Sequence, residues 1–486
     1  MSIDNTISSM NLSPIIQGGM GVGISGWRLA RTVSMLKQRG TLTGVALGRV
    51  MAFKLQRGDI GGQLKRALSH FPFPDISYRV FNRHFVEGGI PAGAPFKGVP
   101  AWGIDPPRSI IELEICANFA DVWLAKEGHD GPVGINYLTE IHMPHIFAIY
   151  GAMLAGIDWI TMGAGIPRQI PGVLEAFTQG KAAEYHVPVI GANIRSYAMR
   201  FDPEAFFGKK LILGKPEFYP IVSSNLLAKA LANRSPTKGN LDGFIVEEDT
   251  AGGHNAPPRK AVYGEDHMPL PIYGPEDDID YSEIKDLGLP FWIGGSCASP
   301  EKLVWAISQG AVGIQVGTAF AFCEESGMDP DIRREARRLA FRNELVIRTD
   351  MRISPTGFPF KVACLPGTLS ESNVYKARTR VCDQGALVKL CEGPDGAILR
   401  RCPAEPLESF IAKGGDPKDA AGRGCICNAL LRTAGFGNPE EPAIITCGDG
   451  AHEAVVRLME NETSAYSAAD VIERLYPRKA AGPLPQ

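Results

Sequence analysis

No stretch of about 18 consecutive apolar residues occurs in the 486-residue chain, so nothing in it predicts a membrane-spanning helix. The N-terminal MSIDNTISSMNLSPIIQGG also lacks a basic segment followed by an apolar one, the pattern of a secretory signal. A soluble, cytoplasmic protein is the expectation. Charge of one sign is missing too: 50 Lys and Arg against 53 Asp and Glu leave a formal net charge of −3. That balance offers no basic footprint for nucleic acid or an anionic membrane, and points to a small-molecule partner. Cysteine is sparse, ten residues, too few for a secreted disulfide scaffold of this length, so reduced thiols are expected. What the chain has is apolar bulk, 44% hydrophobic against 21% charged residues, enough for a large core and opposed to disorder.

Eight short apolar runs, each ending in glycine or polar residues, alternate with helical periodicity. They are PIIQGG from Pro14, GTLTGVALG from Gly40, PVGINYL from Pro132, DWITMGAG from Asp158, FYPIVSS from Phe218, DGFIVEE from Asp242, PFWIGG from Pro290 and AVGIQVGT from Ala311. Several show little polar alternation, as strands buried on both faces do. The pattern predicts an α/β fold, a (β/α)8 TIM barrel over residues 12–345. Between the third and fourth runs, Ile146, Ile149, Tyr150, Met153 and Leu154 recur at helical spacing and predict one apolar helix face. A barrel needs about 250 residues, which leaves room for insertions. They are expected at about 49–131, at 166–217 with the extra apolar run VPVIGANI, and at 256–281, rich in proline and acid. Residues 346–486 read as an appended, cysteine-bearing extension.

In such a barrel the C-terminal ends of the strands carry the chemistry. Gly294 and Gly295 end the seventh run, Gly317 and Thr318 the eighth. Bare backbone N–H groups there suit a phosphate, and adjacent phosphate positions after these two strands fit a phosphorylated cofactor. At the first strand end, glycines surround Met20 without the acidic residue of a Rossmann fingerprint, leaving close approach of backbone to a flat ring as the other use. Asn136 supplies an amide for a ring edge. Taken singly, tight-turn glycines and an amide that satisfies buried backbone explain these residues equally well. His254 stands behind Gly252 and Gly253 at the sixth strand end, where an imidazole is placed to exchange a proton near neutral pH.

In the extension, Cys382, Cys402, Cys425 and Cys427 offer four thiolates, a set that suits zinc or an iron–sulfur cluster. Their spacing matches no standard knuckle, and buried reduced thiols are the alternative.

The series PIIQGGMG, INYL, MGAGIP, IVSS, AGGHNAPPR, IGGS and GTAFAFCEES resembles the nitronate monooxygenase family, formerly 2-nitropropane dioxygenases, in motif order over residues 12–345. The resemblance implies an FMN-dependent TIM barrel related to flavin enoyl-thioester reductases. It implies that His254 sits over the flavin as base or orienter, that Met20 and Asn136 contact the isoalloxazine, and that Gly163 and Gly165 lie near the ring. Gly294, Gly295, Gly317 and Thr318 would hold the phosphate, with Gly253 and Ser223, and beside it Ser224, as further cofactor candidates. Oxidation of alkyl nitronates with O2 is the implied activity. NAD(P)H-dependent reduction of an enoyl thioester, with an acyl carrier protein as partner, is the alternative, and a non-catalytic flavin-binding or electron-transfer protein a second. The long insertions and residues 346–486 depart from compact members of the family.

Overall fold

In the computed structural model, residues 12–192, 197–233, 240–265, 267–393 and 395–476 are described. Its eight apolar runs are eight parallel strands in one sheet: β1 (Ile15–Gln17), β2 (Gly40–Thr43), β3 (Val133–Leu138), β4 (Trp159–Gly163), β5 (Glu217–Val222), β6 (Phe244–Glu247), β7 (Phe291–Gly294) and β8 (Gly313–Val316). Each pairs with its sequence neighbour, and β8 pairs with β1 through Ile15 opposite Ile314. The ring closes between β1 and β2, where Gln17 N–H donates to Arg39 O at 2.9 Å and Arg39 N–H to Ile15 O at 3.0 Å. All residues of β1, β2, β4 and β7 are buried, as continuous apolar strands covered by helices must be. The expected (β/α)8 architecture is present.

The N-terminal end of the barrel is plugged. The Arg39 guanidinium lies 4.3 Å from the Trp159 ring centroid and 5.2 Å from that of Trp292, and pairs with Glu217 at 2.7 Å. A cation stacked on aromatic faces with its charge answered fills the base of the barrel. Any site therefore opens at the opposite end.

The helix His145–Leu154 departs from the expected single apolar face: every residue from His145 to Met153 is buried. It packs against the helix Arg108–Lys126, so closely at Gly151 that a Cβ there would lie 2.4 Å from Ile115 O. Residues 166–217 hold the helix Ile170–Thr178 and an antiparallel hairpin, Ala183–Val187 with Tyr197–Phe201. Asn193 and Ile194 of VPVIGANI lie outside the described residues.

The chain beyond residue 345 packs into the same hydrophobic cluster as the barrel, through residues such as Ile445, Ala451, Val455 and Val471. It begins with β9 (Ile347–Asp350) antiparallel to β10 (Phe360–Ala363). Strand β10 reaches the glycine–histidine loop, with Phe360 bridging His254 and Lys361 N–H donating to Gly253 O at 2.8 Å. A buried ion pair, Arg378 to Glu441 at 3.2 Å, lies farther along.

Candidate active site

The loops after β1, β6, β7 and β8 enclose a cavity of about 160 Å³. Its walls are Gly18–Gly21, Gly252 and Gly253, Gly295 and Ser296, and Gly317 and Thr318. A further wall comes from the far end of the chain: Thr446, Cys447, Gly448 and Gly450. Gly295 has φ +118, and a Cβ on it would lie 2.8 Å from Thr250 Oγ1 and 2.9 Å from Glu248 Cβ. Only glycine fits there without strain. Ser296 follows with φ 45, and Ala164 beyond β4 has φ 51, left-handed conformations that cost energy and gather at functional sites.

Among the described residues no lysine or arginine lines this cavity. Its donors are neutral, and the extension prepares two of them. Gly448 N–H donates to Thr318 Oγ1 at 2.9 Å, and Gly450 N–H to Ser296 Oγ at 2.9 Å. The Thr318 hydroxyl, which accepts there, keeps its proton to give to an anion in the cavity, whereas Ser296 Oγ also donates to Thr250 O at 3.5 Å. Lys361, almost wholly buried, pairs with Asp449 at 2.8 Å and fastens the loop between those two glycines. Lys361→Met is expected to weaken flavin binding about fivefold, the worth of one partly exposed charge-assisted contact, measurable by flavin fluorescence quenching.

The wall from β1 is rigid. The Ser25 hydroxyl accepts from Met20 N–H at 2.9 Å and donates to Gly18 O at 2.9 Å. Met20 reaches across to Gly317, its sulfur 3.5 Å from where a Cβ would stand. Asn136 Nδ2 donates to Gly19 O at 3.0 Å, while its Oδ1 is buried with no partner among the described residues. A buried acceptor of this kind awaits a donor. FMN fits the cavity's donors, neutral N–H and O–H groups for the phosphate; Asn136 does not line this cavity and meets it only through Gly19.

His254 faces a second, larger cleft of about 990 Å³. Its Nε2 lies 2.8 Å from Ser354 Oγ, and its ring meets Phe360 edge-on at 4.9 Å. Ser354 and Phe360 both belong to the extension. Gly253, with φ +85, donates its N–H to Thr446 Oγ1 at 2.7 Å, so the loop is held from both sides. Burial draws the imidazole down to about 4. That shift favours the neutral ring, which can both give and accept a hydrogen bond.

Gly165 and Ser223 border the His254 cleft rather than the glycine-walled cavity. Ser224 also borders it, but its Oγ accepts from Leu227 N–H at 3.1 Å and caps the helix Asn225–Ala232. Gly163 and Gly294 border neither space; Gly163 admits Ile221, and Gly294 lies beside Glu247 and Gln315. Sequence reasoning missed Glu247, which borders both spaces. It also missed the carboxylates of Glu248, Asp249, Asp277 and Asp278 on the cleft. Arg259 is the one Lys or Arg among the described cleft residues, and it donates to the carbonyls of Glu276 and Ser223.

The four cysteines act on one another: Cys425 raises the Cys402 thiol and Cys382 that of Cys425. Cys382 and Cys402 share a hydrogen bond that lowers the Cys382 thiol and raises that of Cys402, and Cys427 likewise raises Cys425. Among the described residues no three His, Cys, Asp or Glu side chains gather to hold a metal ion. The zinc or iron–sulfur expectation finds no support here. Protein prepared without chelator should contain no stoichiometric zinc or iron by elemental analysis, and one metal per chain would contradict this.

No family model matches the chain, and no curated protein matches it. Solved structures resemble it at low identity. FabK from Thermotoga maritima is 14% identical with a TM-score of 0.46, covering 95% of this chain and 91% of that one. A nitroalkane oxidase from Streptomyces ansochromogenes is 12% identical with a TM-score of 0.45, over 97% and 96%. The enoyl reductase domain of MlnA from Bacillus amyloliquefaciens is 12% identical with a TM-score of 0.48, over 97% and 95%.

Proposed function

We propose that the chain is an FMN-dependent oxidoreductase of the nitronate monooxygenase type, oxidising alkyl nitronates with O2. The observation that carries this is a cavity walled by glycine and hydroxyl donors at the ends of β7 and β8, adjoining a cleft that presents a buried, neutral histidine. FMN, when bound, supplies the electron-accepting and oxygen-reactive ring. The chain's own residues do the rest. Gly295, Ser296, Gly317 and Thr318, with Gly448 and Gly450 behind the hydroxyls, receive the phosphate. Gly19 and Met20, with Asn136 behind Gly19, hold the ring edge. His254, steadied by Ser354 and Phe360, orients a substrate oxygen through a hydrogen bond that its neutral state can give or accept.

A second reading, NAD(P)H-dependent reduction of an enoyl thioester, small or borne on an acyl carrier protein, is kept because the acidic lining of the cleft meets no charge at the reacting end of such a substrate. Glu248, Asp249, Asp277 and Asp278 oppose a free nitronate anion. Anaerobic bleaching of the flavin, followed separately with a nitronate and with NADPH, divides the two. Bleaching by nitronate alone is expected; bleaching by NADPH alone overturns the nitronate reading, and bleaching by neither overturns both.

A further inference from the structure

Between the glycine-walled cavity and the His254 cleft stands a single side chain that borders both, Glu247. It is the last residue of β6, paired in register with Gly294 of β7, whose missing side chain leaves room for it. Its Oε1 accepts from Gln315 Nε2 of β8 at 3.2 Å. Among the described residues, none on the strands and loops beside it carries a positive charge, and Arg259 across the cleft is spent on the carbonyls of Glu276 and Ser223. The neighbouring strands contribute Gly294 and Gln315, the β1 loop Gly18–Gly21, and the extension Thr446 and Cys447. From its own loop come Glu248, which accepts from Tyr281 Oη at 2.7 Å, and Asp249; across the cleft lie His254, Asp277, Asp278 and Arg259. A carboxyl so placed can hold a proton but has no cation to hold it ionised.

We propose that Glu247 is the proton-transferring residue of this site, giving a proton to, and taking one from, the occupant of the His254 cleft. The assignment rests on the FMN reading for what lies in the adjoining cavity. Burial lifts the carboxyl to about 7, with Gln315 the one opposing influence, while His254 stays near 4. Two titrating groups with environments that separate them this far divide the work. The histidine stays neutral and orients, and the glutamic acid carries the proton. When Glu247 donates, its Oε–H bond breaks and the proton goes to an electron-rich carbon or oxygen of the substrate. The carboxylate left behind recovers a proton from water in the cleft, and no electrons pass through the residue. In its protonated form it also places no charge against a phosphate in the same cavity.

Glu247→Gln keeps the shape and a hydrogen bond to Gln315 but cannot titrate; Glu247→Asp keeps a titrating carboxyl. The direct test is NMR of protein carrying carbon-13 at glutamate carboxyls, flavin-loaded and flavin-free. One resonance titrating near 7 and missing in Glu247→Gln is expected, and its titration near the ordinary value of about 4.3 would overturn the proposal. In turnover, Glu247→Gln should lose about 10²–10⁴-fold in kcat and the inflection near pH 7, with flavin affinity little changed, while Glu247→Asp retains an inflection. A Glu247→Gln enzyme with the wild-type rate and inflection would also overturn it. A protein that takes up no FMN defeats the functional reading instead, and the flavin-free titration still decides the state of Glu247.

Discussion

Replacing His254 by asparagine is expected to leave the flavin bound and to slow turnover by about 10²–10³-fold, the usual cost of losing one preorganised hydrogen bond at a reacting centre, since the shorter amide cannot stand where the imidazole Nε2 does. The separation follows from the geometry. The glycine-walled cavity is lined by Gly252 and Gly253, whereas the imidazole lies over the adjoining cleft, tied to Ser354. Burial holds His254 at about 4, below its ordinary 6.5, so the neutral ring persists as pH falls and is lost only on passing about 4. Turnover should therefore show no inflection near 6.5 from this residue, and its acid limb near 4 should vanish in the asparagine variant. Stopped-flow flavin reduction across pH, with flavin content measured on the same samples, reads both. A wild-type rate in the variant would leave the histidine structural, and a flavin-free variant would show that binding and orientation are not separate.

Gly295→Ala is expected to weaken flavin binding by about 5- to 150-fold, the range that 1–3 kcal/mol of backbone strain corresponds to. The glycine has φ +118, and the added methyl would press on Thr250 Oγ1 and Glu248 Cβ at 2.8 and 2.9 Å, so the loop must move off the cavity wall. Thr318→Val, which removes a hydroxyl without changing shape, should cost about 10-fold through one lost charge-assisted hydrogen bond. Titration of flavin-free protein with FMN measures both. If both variants bound FMN as tightly as the wild type, the phosphate would sit elsewhere.

The eight barrel strands were legible because parallel strands buried on both faces are written as unbroken apolar runs, and each run from Pro14 to Thr318 became one strand. Gly253 and His254 were legible for the same local reason: a left-handed turn and an imidazole at a strand end are adjacent in the chain. The cavity's further wall was not. Ser354, Phe360, Thr446 and Gly448 meet the site from 100 or more residues away, and nothing in their spacing announces it. One signal was present: the run TCGDG before AHEAVV, two glycines ahead of the helix Ala451–Val456, repeats the strand-end pattern seen after β7. The state of His254 was out of reach because burial, not residue type, sets it. The fold brings the four thiols near one another, yet among the described residues no three His, Cys, Asp or Glu side chains gather as a metal site, which their spacing could not foretell.

The most direct measurement is the flavin content of the purified chain. About one FMN per chain, released on denaturation and identified by mass, is the expected result. A colourless protein that fails to take up added FMN, or one that retains FAD or a nicotinamide in its place, would contradict the assignment of the glycine-walled cavity.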